Sequence, residues 1–141
     1  MTPLFADEQI LRLIPQRPPM VMIDAVLDAC ETGITTALTI RDDNFFLHKQ
    51  CLQESGLVEH MAQTAAAFAG YANLKNQTAP KVGFIGEVKD MTCVRLPKLG
   101  ETVSTTLTTV ADMAGVTLVE CNAVCGEENI AHCMLKIFIQ P

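Results

Sequence analysis

Hydrophobic and polar positions divide the chain into three stretches of different period. In the first, Ile10, Leu11 and Ile14 fit a short helix over Asp7–Leu13, which Pro15 stops because it has no backbone N–H to continue the ladder. Pro18 and Pro19 force an extended entry into Met20–Leu27. That apolar run, broken only by Asp24, predicts a buried strand. Glu31-Thr32-Gly33 reads as a turn, and Ile34–Ile40 alternates as a half-buried strand should. Arg41–Asn44 is a second polar turn.

The middle stretch changes to a helical period. From Ser55 or Gly56 to about Leu74, residues Leu57, Met61, Ala65, Phe68 and Ala72 fall on one face, with Ser55 as the expected N-cap. After Glu59, His60 and Gln63 the next charged residue is Lys75, so the opposite face is apolar too. A helix apolar on nearly all sides is a buried helix, and its Ala and Gly content lets neighbouring backbone approach closely.

Everything after Pro80 alternates like strand. Lys81–Val94, Thr102–Ala111, Val116–Cys125 and Ile130–Ile139 are four long candidates, separated by turns at Pro97–Gly100, Ala114-Gly115 and Gly126–Asn129. Short links between long strands imply an antiparallel meander. The expectation is one α+β domain over residues 1–141, in which a curved antiparallel sheet of about five to six strands wraps one long central helix. That is the plan of the hotdog fold.

Composition narrows the function classes. The chain has 141 residues, 49% of them hydrophobic and 18% charged, which suits one globular domain. A net charge of −6 repels phosphate backbones and argues against nucleic-acid binding. The N-terminus carries early acids and lacks a leader-like apolar run, and no window reaches the 18 or so uncharged apolar residues of a membrane span. A cytoplasmic protein is expected. Its six cysteines then read as reduced and largely buried. Their spacing lacks a CxxC pair and suits zinc poorly, so neither a metal nor another cofactor is expected.

Three motifs carry a resemblance. Ile14-Pro15-Gln16-Arg17-Pro18-Pro19-Met20-Val21-Met22-Ile23-Asp24 resembles the N-terminal pattern of the 3-hydroxyacyl acyl-carrier-protein dehydratases, with Gln16 where that family has His. Glu59-His60-Met61-Ala62-Gln63 matches their helix motif Glu-x-Met-Ala-Gln, and Phe45-Phe46-Leu47-His48 lies where they place a Phe pair and then Gly-His-Phe-Pro. Phe84-Ile85-Gly86, then Arg95-Leu96-Pro97-Lys98-Leu99-Gly100-Glu101, is similar to a third, weaker signature. The chain departs from the pattern in one region. Leu47 replaces Gly, Lys49-Gln50 replaces Phe-Pro, and only eleven residues separate His48 from Glu59.

The resemblance implies Glu59 as the catalytic acid and His48 as the base at C2 of a 3-hydroxyacyl thioester. It also implies a homodimer, since the two residues come from different subunits in that family; higher assembly stays open. Ser55, Gly56, Leu57, Gln63, Phe46 and Phe84 are the expected substrate-binding positions. The ligand is an acyl-carrier-protein or coenzyme A thioester.

Plainer readings stand beside these. The plainer reading of Glu59 is an acid that serves the helix dipole from the first turn, and that of His48 is an ordinary loop histidine. His60, rotated about 100° from Glu59, suits packing better than catalysis. Gln63, one turn below Glu59, either orients it or caps a strand edge, and Asp24 holds Arg17 or a turn. A thioesterase on the same fold, or a non-catalytic subunit acting beside a companion, are the competing functions.

Overall fold

The computed structural model describes residues 2–79 and 83–139. Nine strands and one long helix occur in the order β1 (Phe5–Ala6), β2 (Ala25–Ala29), β3 (Gly33–Thr39), β4 (Leu47–His48), β5 (Cys51–Leu52), α1 (Glu54–Asn76), β6 (Gly83–Cys93), β7 (Thr102–Met113), β8 (Val116–Cys125) and β9 (Glu128–Ile139). A 3-10 turn over Asp7–Arg12 follows β1, where the short helix was expected. Seven strands form one antiparallel sheet in the order β1-β2-β3-β7-β8-β9-β6. The helix packs on its concave face, so the hotdog plan holds with a slightly larger sheet.

Side chains alternate across that sheet. Leu107, Val119, Cys121, Ala123, Cys133 and Leu135 point inward and are inaccessible to solvent. They meet Leu57 and Met61 from the helix, also fully buried. Cys121 and Cys133 are directly opposed, and the Cys133 thiol lies 3.4 Å from Met61 Sδ. Cys125 is buried as well, but Cys30 is exposed at the end of β2, against the expectation of mostly buried thiols. No helix among the described residues is long and apolar enough to cross a membrane.

Helix α1 begins at Glu54, one or two residues before the expected start at Ser55 or Gly56. Its N-cap is Gln53 with extended backbone, not Ser55, which lies exposed in the first turn. The helix ends in a Schellman arrangement: Gln77 N–H donates to Leu74 O and Thr78 N–H to Asn73 O. Gln77 takes the left-handed conformation (φ 54°) that such an ending requires.

The first apolar run differs most from its expectation. Met20–Ile23 is not strand; β2 starts at Ala25. Its backbone groups bond helix side chains instead: Met22 N–H to Gln63, Met22 O to His60, and Met20 O to Gln63. Asp24 accepts from Thr39 N–H (2.7 Å) and pairs with Arg41, whereas Arg17 turns to the carbonyls of Ile14 and Gln16. Residues 5–24 thus form a strap along the helix. Phe5 meets Tyr71 edge-on at 6.3 Å, Ile10 is fully buried, and a Cβ on Gly70 would strike Leu13 O.

At the far edge, β6 pairs only with β9 among the described residues, and eight successive residues from Gly83 to Asp90 are exposed. Ile85 and Val88 lie on the concave side opposite Ile137 and Leu135, each 40% exposed. This edge and the adjoining helix face are uncovered in the single chain.

Candidate active site

The helix motif supplies the centre of the site. Glu59 is half-buried on the helix face that also carries Val58, Ala62 and Ala66, none of them fully covered. One turn on, Gln63 is inaccessible to solvent. Its Nε2 donates to Glu59 Oε2 at 2.8 Å and to Met20 O at 2.7 Å, while its Oε1 accepts Met22 N–H at 2.6 Å. Gln63 therefore both orients Glu59 and ties down the strap, which the sequence had left as alternatives.

His60 turns the other way, into the core. Its Nδ1 lies 2.8 Å from Met22 O and its Nε2 2.8 Å from Thr105 Oγ1. A carbonyl can only accept, so Nδ1 carries the proton and Nε2 accepts from the threonine hydroxyl. Burial pushes this imidazole down to about 4, opposed only in part by its bond to Met22. Thr64 adds a buried layer, donating to His60 O and meeting Thr36 Oγ1 at 2.7 Å. His60 is a neutral structural group, as its rotation away from Glu59 implied.

His48 sits elsewhere. It is exposed, at the end of the two-residue strand β4. Lys49 (φ 50°) and Gln50 (φ 67°) form the tight turn of a β4–β5 hairpin that the residue pattern did not reveal. A two-residue turn with both central φ values positive matches strand twist, but it normally uses Asn or Gly. Here the hairpin is held from outside: Leu52 N–H donates to Pro97 O, Leu99 N–H to Gln50 O, and Gln53 Nε2 to His48 O. Among the described residues, none of the three imidazoles hydrogen-bonds the Glu59 carboxylate; His132 pairs with Glu120 on the convex face.

The remaining expected positions divide into two groups. Gly56 and Leu57 are buried at the helix start, where Phe46 and Leu52 close over them. A Cβ on Gly56 would lie 2.5 Å from Phe46 Cβ, so the glycine is what admits that ring. Phe46 stacks edge-on against Phe45 at 5.2 Å, and Phe45 is 60% exposed. Phe84 is apart from this cluster, on the convex face of β6 opposite Phe138 and 53% exposed. Gln63 has both amide hydrogens engaged within the protein, so it meets a ligand only through Glu59.

Below the site, Arg95 clamps the turn before β7. Its guanidinium forms a fork on Glu101 (2.8 and 2.9 Å) and reaches Glu128 at 2.9 Å. The Arg95 bonds, then the Lys98 N–H, hold the Glu101 carboxyl down at about 2. Turn 97–100 is what pins the His48 hairpin, so this third motif is structural support for the second.

What the residue pattern missed is the backbone share of the site. Met20 O, Met22 N–H and Met22 O are contributed by the strap, and Thr105 by β7. Only the run of two prolines ahead of Met20, which disfavours regular pairing there, hinted that this stretch serves another purpose.

Comparison with known proteins bears on the fold and the family. No curated protein matches the chain by sequence. Among solved structures, the dehydratase heterocomplex ApeI:P from Xenorhabdus doucetiae is similar with a TM-score of 0.86 at 17% identity, covering 100% of this chain and 93% of that one. The PaaI protein of the E. coli phenylacetic acid degradation operon has a TM-score of 0.67 at 12% identity, covering 80% of each chain. A hypothetical thioesterase with coenzyme A from Streptococcus pneumoniae TIGR4 reaches 0.66 at 8% identity, covering 82% of this chain and 84% of that one. At such identities the likenesses establish the shared fold. The ApeP-like family, described as ApeP dehydratase, matches residues 8–141, nearly the whole sequence. The chain belongs to the ApeP-like dehydratase family.

Proposed function

We propose that the protein dehydrates 3-hydroxyacyl thioesters, carried on acyl carrier protein, to trans-2-enoyl thioesters in fatty acid or polyene-type biosynthesis. The observation that carries the reading is a half-buried acid, Glu59, held by a buried amide on the one helix face the fold leaves uncovered. Elimination needs an acid at the C3 oxygen, a base at the C2 proton and a donor for the thioester oxygen. Glu59 is the acid. The base is His48, brought to the acid by a second subunit; within one chain no hydrogen bond joins the two groups. The first-turn N–H groups at Ser55 and Gly56 serve the thioester oxygen, where the positive end of the helix dipole favours developing negative charge.

The second subunit is a copy of this chain seated on β6. An eleven-residue edge with eight exposed positions presents unpaired backbone groups along its length. Paired antiparallel about Val88, two such strands would set Glu87 against Lys89 in both directions. Sealing Ile85 and Val88, each 40% exposed, would take apolar surface of this edge out of water.

A direct test is hydration of a trans-2-enoyl thioester, followed as loss of enoyl absorbance. Glu59→Gln should reduce turnover on the order of 10²–10⁴-fold, the usual contribution of a general acid, with the dimer intact. Release of free thiol from acyl substrates in place of hydration would make the protein a thioesterase. One observation favours a second reading, a subunit without catalysis of its own: His48 is exposed and has no hydrogen bond to Glu59, in a fold whose similar structure is a heterocomplex. Turnover that appears only when a companion hotdog subunit is added would decide for it.

A further inference from the structure

The bonds around Gln63 fix more than its own position. Met22 N–H can only donate and Met20 O can only accept, so the amide has one allowed orientation: carbonyl oxygen toward Met22, NH2 group toward Met20 and Glu59. Turned over, it would set N–H against N–H and oxygen against oxygen inside a site closed to water. Both hydrogens of the NH2 group are thereby committed, one to Met20 O and one to Glu59 Oε2. The carbonyl oxygen of a protonated carboxyl is a better acceptor than its hydroxyl oxygen, so the oxygen that faces an obligate donor is the less favourable place for the acid proton.

We propose that Gln63 is a positioning residue that reserves Oε2 of Glu59 as a permanent acceptor and leaves Oε1 as the oxygen that exchanges a proton with the ligand. The strap backbone at Met20 and Met22 is then part of the catalytic apparatus, since it sets the polarity of the amide. The inference rests on Glu59 being the reactive acid. In the forward direction the C2–H bond breaks with its proton going to the base. The electron pair forms the C2–C3 double bond, and the C3–O bond breaks onto oxygen, which takes the Oε1 proton and leaves as water. Glu59 is left ionised with its Oε2 already hydrogen-bonded, so the bond to Gln63 is strongest when the charge appears.

Two measurements on the intact protein test this. In proton–nitrogen NMR spectra, the two Gln63 side-chain amide protons should be displaced downfield and slow to exchange. Glu59→Ala should move the one facing Glu59 and leave the one facing Met20 in place. In enoyl hydration assays, Gln63→Met should lower kcat on the order of a hundredfold, the scale of a misplaced reacting group, with KM within about threefold of wild type by the same geometric reasoning.

Gln63→Glu keeps the shape and an acceptor for Met22 N–H, which guards against a folding failure in Gln63→Met. It faces Glu59 with a second carboxyl, so its rate profile should acquire a new limb on the acidic side of the optimum. Amide signals that ignore Glu59→Ala would overturn the positioning role even if Glu59 proved essential. So would a folded Gln63→Glu with wild-type kcat and pH profile. Wild-type turnover in Glu59→Gln would instead remove the dehydratase role of the acid, whatever the amide signals show.

Discussion

Acidifying the protein from pH 8 to pH 5 loads one buried group selectively. His60 has no solvent exposure, and its Nε2 must stay unprotonated to accept from Thr105. In the unfolded chain the ring takes up a proton near 6.5; in the fold it resists until about 4. Stability from this group is therefore fully present above 6.5 and drains away as pH falls from 6.5 toward 4. The complete difference is on the order of 3 kcal/mol, of which about 2 kcal/mol is lost by pH 5. Against a total of about 5–15 kcal/mol for a domain, that is a large share. The Glu101 carboxyl, held at about 2, loses its contribution only below 4.5 and stays outside the window. Urea unfolding at pH 8, 7, 6 and 5, followed by near-ultraviolet circular dichroism, should show a falling midpoint at constant slope. His60→Gln should start lower at pH 8 and vary less between pH 7 and 5. A wild-type midpoint independent of pH over this range, or a dependence unchanged in His60→Gln, would refute the assignment of a neutral buried imidazole.

Two further outcomes follow from the strap and the edge. Gly70→Val places a branched side chain against Leu13 O and should cost about 1–3 kcal/mol as an overpacked contact, read as a lowered Tm with faster proteolysis within residues 5–24; an unchanged Tm would mean the strap yields freely. Val88→Asp puts like charges opposite one another at the centre of a two-fold β6 pairing. On the proposed β6 pairing, light scattering should then report monomers at concentrations where wild type associates, and a persistent dimer would place the interface elsewhere.

The helix was the most legible element, because Leu57, Met61, Ala65, Phe68 and Ala72 keep one period for about four turns and an Ala-rich segment so long is buried most simply as a helix. The C-terminal meander was legible for a similar reason: alternation plus turn residues at 114–115 and 126–127 places β7 to β9 within two or three residues. The strap was not. Met20–Ile23 has the composition of a strand, but its hydrogen-bonding groups are taken by side chains forty residues on, and no local pattern encodes that competition. The β4–β5 hairpin was hidden because Lys49 and Gln50 occupy turn positions that ordinarily advertise themselves by Asn or Gly. For the site, Glu59 and Gln63 were readable as a spacing of four on one helix. The placement of His48 on its hairpin depends on turn 97–100 and its Arg95 clamp, which lies far along the chain.

Strand β6 imposes a timetable on synthesis. Among the described residues its sole neighbour is β9, and Gly83 must wait for Ile139. At ordinary elongation rates that interval is roughly 3–10 s. During it, Phe84, Ile85 and Val88 emerge from the ribosome with both flanks unpaired. Cellular yield of this protein should therefore hinge on chaperone capacity and translation speed over its final third more than on the equilibrium stability of the finished domain.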